Sequence, residues 1–170
     1  TQLHLARVRA EAAERERAAL AVAERERARL REVLEQVPTP INVFEGPEHT
    51  ITLANPLYHQ YVGNRDLLGK TFRETFPELE WHWIRNLLDR IYSTGEPFSA
   101  TALEGRWDQR GEGVVETGYT DVVFQPLRDA QLQIYGIVQL SVDVTEQVRA
   151  RHQAEEAIRT RDRFLSIAAH

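Results

Sequence analysis

The stretch Arg161-Asp162-Arg163-Phe164-Leu165-Ser166-Ile167-Ala168-Ala169-His170 is an amphipathic run that stops on an imidazole. Imidazole can be neutral and nucleophilic near pH 7, so His170 can accept a phosphoryl group as a phosphoramidate. That reaction needs a nucleotide site with Mg²⁺. The 170 residues contain no Gly-rich phosphate loop, so His170 is expected to be inert in this chain by itself. A solvated terminal histidine without a role is the plainer alternative. A second group of interest is aromatic. Tyr58, Tyr61, Trp81, Trp83, Tyr119 and Phe124, with Leu87, are candidates to line a ligand cavity, although aromatic residues in a domain this size are more often ordinary core. A third is Asp143-Val144-Thr145-Glu146, where Asp143 and Thr145 are helix-capping types and Glu146 stands three after Asp143, as in a capping box.

Composition narrows the chemistry. The absence of cysteine excludes disulfides, thiol catalysis, cysteine-ligated zinc and cysteinyl-flavin photochemistry. A net charge of −5 gives no sign of nucleic-acid binding. No apolar run approaches the roughly 18–20 residues of a membrane span, and Thr1-Gln2-Leu3-His4 does not open a signal peptide. The expected location is cytoplasmic, with no membrane contact from this chain.

Three segments must position these residues. Residues 1–37 lack Gly and Pro and are dense in Ala, Arg, Glu and Leu, a long-helix composition. Ala13-Glu14-Arg15-Glu16-Arg17-Ala18 recurs as Ala23-Glu24-Arg25-Glu26-Arg27-Ala28. Glu11/Arg15, Glu14/Arg17 and Glu24/Arg27 stand at helical pair spacings. A seam through Leu20, Ala23, Arg27, Leu30, Leu34 and Val37 competes with one through Leu5, Val8, Ala12, Arg15, Ala19 and Val22. A helix this polar either stays solvated or pairs with a second copy in a parallel coiled coil.

Pro38-Thr39-Pro40 stops that helix, and residues 38–143 read as a separate domain. Strands are expected at 41–44, 50–53, 98–103, 114–127 and 131–142, with the loop 105–113 between the third and fourth. Short helices follow Asn55-Pro56 and occupy 66–76. A longer helix is expected over 78–94, with Leu79, Trp83, Ile84, Leu87, Leu88 and Ile91 on one face. Helices grouped between two sets of strands imply an α+β fold with an antiparallel sheet. Residues 144–170 form a second long helix. Val144, Val148, Arg151, Glu155, Ile158, Asp162, Leu165 and Ala169 keep a coiled-coil phase there.

Residues 41–146 resemble a PAS domain: a five-stranded antiparallel sheet with short flanking helices. The resemblance rests on Ala54-Asn55-Pro56, Leu68-Gly69-Lys70-Thr71-Phe72-Arg73-Glu74-Thr75-Phe76-Pro77 and Ser93-Thr94-Gly95-Glu96-Pro97-Phe98. It continues through Gln125-Pro126-Leu127-Arg128-Asp129, Gly136-Ile137-Val138 and Asp143-Val144-Thr145-Glu146. Ala130-Gln131 departs from the Asp-Gly common after the last hairpin's turn, so a different turn is expected. Residues 147–170 are similar to the opening of the dimerisation and phosphotransfer helix of sensor histidine kinases. The two resemblances together imply the sensory and dimerisation module of a two-component kinase, cut where the catalytic half begins. They imply His170 as phospho-acceptor, ATP and Mg²⁺ in the missing kinase domain, and a response regulator as partner. They imply a homodimer through parallel helices 1–37 and 147–170, with Asp143, Thr145 and Glu146 linking sheet to helix. Tyr58, Trp83, Leu87, Tyr119 and Phe124 would face any small ligand, and the sequence identifies no cofactor. His82 is a weak candidate for haem ligation, because some PAS domains use a histidine on this helix. The alternative is a ligand-free PAS module that only pairs chains.

Overall fold

The computed structural model describes every residue except Glu80, and the side chain of Trp81 also lies outside the description. The elements in chain order are α1 (Gln2–Gln36), β1 (Ile41–Glu45), β2 (Thr50–Ala54), α2 (Pro56–Tyr61), α3 (Phe72–Thr75) and α4 (Trp81–Thr94). They continue as β3 (Phe98–Trp107), β4 (Glu116–Arg128), β5 (Ile134–Asp143) and α5 (Thr145–Ala168). The chain divides into two compact units, Thr1–Val37 and Pro38–His170.

In the first unit α1 is a single helix with no buried residue. Glu14 and Arg17 pair at 3.6 Å, while Glu11 turns back to Arg7 at 3.6 Å and not forward to Arg15. Such exposed pairs contribute only a few tenths of a kcal/mol each. Leu5, Val8, Leu20, Leu30 and Val33 all remain exposed. No described helix is long and apolar enough to cross a membrane.

In the second unit the strands form one antiparallel sheet in the order β2-β1-β5-β4-β3. Strand alternation puts Phe44, Ile137, Val122 and Phe124 on one face, where they bury with Ile51, Tyr58, Leu67, Phe76, Leu88 and Ile91. Asn55 fastens one edge. Its side-chain oxygen accepts from the Tyr58 amide at 2.9 Å, capping α2, and from the Ile41 amide at 3.0 Å; its amide donates to the Thr39 carbonyl at 2.8 Å. Pro56 follows at the first helical position, where a missing N–H costs nothing. Thr71 and Glu74 form a capping box on α3. Gly95 ends α4 in a left-handed conformation (φ +75°) with its amide on the Ile91 carbonyl at 2.8 Å.

Three expectations shift. β3 runs on to Trp107 because a bulge at Ala102 re-registers it against β4, with the Ala102 amide donating to Asp121 at 2.7 Å. The loop expected at 105–113 is therefore shorter at its start. The last hairpin has no glycine for its left-handed residue, so Leu132 takes it (φ +65°). The Asp129 carboxylate accepts from the Gln131 and Gln133 amides at 2.9 Å each, and β5 starts later, at Ile134. Helix α4 is described from Trp81 to Thr94, and the Glu78 side chain ahead of it is held in an ion pair.

Its partner is Arg65. That guanidinium donates to the carbonyls of Val62 at 2.8 Å, Thr75 at 2.7 Å and Asp108 at 3.1 Å, and meets Glu78 at 2.7 Å. It also lies 4.7 Å from the centre of the Phe76 ring. One planar cation thus joins the ends of α2 and α3 to the β3–β4 loop. Burial would raise the Glu78 carboxyl, but hydrogen bonding to Arg65 and the Asp108 amide outweighs this and holds it below its ordinary 4.5. A depressed carboxyl stabilises the fold above its ordinary value, and the contribution disappears as pH falls through the lowered one. Arg65→Ala is expected to lower stability by about 3 kcal/mol in urea unfolding at pH 7. Glu78→Gln should flatten the decline of stability on the acid side. An acid limb as steep as that of the wild type would remove Glu78 as its source.

Candidate functional site

A cavity of about 770 Å³ opens between the inner sheet face and the helices α2 to α4. Its walls include Tyr58, Tyr61, Phe72, Phe76, Trp107, Val122 and Phe124, and exposed Trp83 and Val115 lie at its mouth. The polar groups along it are Glu78, Glu104, Arg106, Thr120 and Gln139. Burial drives the Tyr58 phenol far above its ordinary pKa, with Tyr61 adding to the rise. Burial also pushes Tyr61 up to about 12, against a hydrogen bond with Thr120 that lowers it. Both phenols are therefore neutral donors at physiological pH.

The expected ligand-facing residues separate. Tyr58, Trp83 and Phe124 line the cavity. Leu87 is buried in the core and is not one of the lining residues. Tyr119 is of opposite parity to Phe124 along β4 and lies on the other face, edge-on to the His152 ring of α5 at 6.2 Å. Trp81 cannot be placed, since its side chain lies outside the described residues. His82 is exposed on α4 and is not among the lining residues.

The second feature is a clasp where β5 becomes α5. Strand β5 pairs with β4 to its last residue, Asp143 opposite Thr120. The Asp143 carboxylate accepts from the Thr145 amide at 2.9 Å. The Val144 amide donates to the Tyr119 carbonyl at 2.9 Å, and the Thr145 hydroxyl oxygen accepts from the Tyr119 amide at 2.9 Å. Thr145 is 4% exposed. The capping box expected between Asp143 and Glu146 does not form. Val144 occupies the N-cap, without a side-chain bond, because the hydroxyl of Thr145 is drawn into the sheet edge. Glu146 stands in the first turn, favourable beside the positive helix end. Val148 buries against the sheet, and Arg149 donates to the Thr117 carbonyl at 3.0 Å. From Arg149 onward every residue of the chain is exposed, including Ile158, Phe164, Leu165, Ile167 and His170.

Cavity and clasp meet at Thr120. Its side chain bonds Tyr61 on the cavity side, and its hydroxyl lies 3.2 Å from the Val142 carbonyl. Thr120 is also the strand partner of Asp143, whose charge raises the Tyr61 pKa further. Sequence reading did not single out Thr120, Gln139, Trp107 or Arg65. Strand parity with Phe124 and Ile137 was the available signal for the first two.

A family model described as PAS fold matches residues 34–149. The solved PAS domain of Bordetella pertussis BvgS is 22% identical with a TM-score of 0.58, over 78% of this chain and 98% of that one. The PAS domain of the HTR-like protein from Haloarcula marismortui is 18% identical with a TM-score of 0.53, over 75% and 98%. An RNA-binding light-oxygen-voltage receptor is 16% identical with a TM-score of 0.58. The match covers 81% of this chain and 38% of the receptor, so the chain spans well under half of that protein. At these identities the likeness is one of fold.

Replacing Thr145 by Val keeps the shape and removes the acceptor for the buried Tyr119 amide. The expected cost is about 1–2 kcal/mol in urea unfolding, with Thr145→Ser losing less. Hydrogen exchange at the Tyr119 amide should quicken at least about tenfold in Thr145→Val, matching a cost of about 1.4 kcal/mol. Unchanged exchange there would mean that the clasp does not hold the helix.

Proposed function

The chain belongs to the PAS-fold family, and on that premise we propose that it is a sensory and dimerisation module that relays the state of its cavity to a histidine kinase output through α5. The observation that carries this reading is the clasp. It joins the strand bordering the cavity, through Thr120 and Tyr119, to the first turn of a helix whose residues are all exposed from Arg149 onward. A change at Tyr61 or Thr120 shifts the β4–β5 edge, and the start of α5 follows it. The cavity and the helix then form one element with two states for a signal to bias.

The output assignment rests on the run Phe164-Leu165-Ser166-Ile167-Ala168-Ala169-His170. In this reading His170 accepts the γ-phosphoryl group of ATP, held with Mg²⁺ by a kinase domain of the parent protein, and passes it to a response regulator. Its exposure suits that double transfer, since both partners must approach the ring. The parent protein works on the cytoplasmic side.

Dimerisation follows from what α1 and α5 leave uncovered. Leu20, Leu30, Ile158 and Leu165 are each more than half exposed, and a second copy in parallel register buries them. Val148 is occupied by the sheet, so the pairing seam of α5 begins beyond it. The same exposed stripes also suit a ligand-free module that does nothing but pair chains. The two readings part at the cavity and at His170.

Light scattering of the chain at micromolar concentration should give a dimer mass, and a clean monomer contradicts the pairing. In the full-length parent with ATP and Mg²⁺, acid-labile phosphate should be lost in His170→Gln and kept in His152→Gln. Label persisting in His170→Gln would refute the output assignment.

A further inference from the structure

Two glycines face each other across β3 and β4, where Gly105 is the strand partner of Gly118. Trp107 stands two residues after Gly105, on the same strand face, and its indole lies over the glycine pair. A methyl at Gly105 would stand 3.3 Å from the indole Cζ3. One at Gly118 would stand 2.9 Å from the same atom and overlap Cη2 outright. Two missing side chains thus shape a slot, and the indole fills it with only 5% of the residue exposed. Gln109 also reaches this slot, its Nε2 2.6 Å from a methyl at Gly118. That nitrogen has no hydrogen-bond partner among the described residues, so the flexible amide can turn aside where an indole cannot.

One side of the indole belongs to the cavity. Trp107 is a lining residue, and its ring centre is 5.5 Å from that of Tyr61. Its Nε1 donates to the Tyr61 carbonyl at 3.4 Å, a long bond that fixes the ring weakly. The slot side meets the clasp. The peptide bond leaving Gly118 carries the Tyr119 amide, which is the amide that donates to the Thr145 hydroxyl at 2.9 Å. The Tyr119 carbonyl accepts from the Val144 amide at 2.9 Å. The indole therefore rests on the backbone unit to which the start of α5 is fastened. Close-packed interiors pass on small displacements because no free space absorbs them.

We infer that Trp107 is a positioning residue of the relay: its indole, resting on Gly118, carries the filling of the cavity to the peptide group that Thr145 holds. A change that presses the ring onto Gly118 displaces the Tyr119 amide, and one that lifts it away leaves that amide without support. This inference rests on the relay reading. It adds a steric route beside the hydrogen-bonded one through Tyr61 and Thr120.

The test labels the intact chain with 5-fluorotryptophan and follows Trp107 by fluorine NMR. Trp83, at the cavity mouth, is the internal reference, and Trp107→Phe and Trp83→Phe assign the two signals. Thr145→Val cuts the clasp from its far side and should shift the Trp107 resonance while leaving that of Trp83 in place. Hydrogen exchange supplies the converse arm. Gly118→Ala should quicken exchange at the Tyr119 amide at least about tenfold relative to the amide of Ile51, which is buried on β2 and donates to the Lys70 carbonyl. With Trp107→Leu in place, the same added methyl should change that ratio less than about twofold, since nothing rigid opposes it. A Trp107 resonance indifferent to Thr145→Val would overturn the inference, and so would a Gly118→Ala effect of equal size in both backgrounds. The fluorine arm needs no Gly118 variant, so it decides the matter even where Gly118→Ala fails to fold. Either contrary result leaves the relay reading intact, because that reading stands or falls on phosphorylation at His170.

Discussion

A threonine hydroxyl holding a backbone amide is the constraint on which the direction of the last helix depends. Thr145 accepts from Tyr119 inside the sheet edge, and Asp143 accepts from the amide of Thr145, so strand and helix share one rigid corner. Past Val148 the helix is tied to its own unit by the Arg149 bond to Thr117 and the His152 ring against Tyr119. Its direction is therefore set at its root. A displacement of one strand by a fraction of an ångström swings the far end of a helix this long by much more, because the helix is stiff and the corner is the pivot.

The rest of the domain makes that corner sensitive to the cavity. The helices α2 and α3 are short, and their ends share one anchor with the β3–β4 loop. Arg65 supplies it, with three carbonyls, one carboxylate and the Phe76 ring around one guanidinium. The helices are fixed on one side of the cavity and β4 and β5 form the other. In the proposed relay a change inside reaches Thr120 and passes along the β4–β5 edge. Two buried tyrosines and Gln139 add uncharged polarity to a cavity that Glu78, Glu104 and Arg106 also line.

Much of this was legible in residue order. The sequence Ala54-Asn55-Pro56 announces a capped helix, and Thr71 to Glu74 a capping box. Thr94-Gly95-Glu96-Pro97 announces a helix stop before a strand, and all three form as local chemistry dictates. Where the reading failed, a distant partner decided. Asp143 and Glu146 have the types and spacing of a cap, but the hydroxyl of Thr145 finds a better partner across the sheet. Tyr119 and Phe124 were grouped by type although five residues apart on a strand, which puts them on opposite faces. Arg65 was not singled out, since nothing local reveals three carbonyls converging from separate segments. Gln139 was not singled out either, and only its parity with Ile137 marks it as inward.

The most direct measurement inserts helix-forming residues between Glu155 and Glu156 of the full-length parent, one to seven at a time, and reads phosphorylation at His170. Each added residue rotates the distal helix by about 100°, and seven restore the coiled-coil phase. If the corner at Thr145 sets the output through the phase of α5, phosphorylation rises and falls with insert length and returns to the wild-type level at seven. A uniform level at every length, or a steady decline without recovery at seven, would contradict the account.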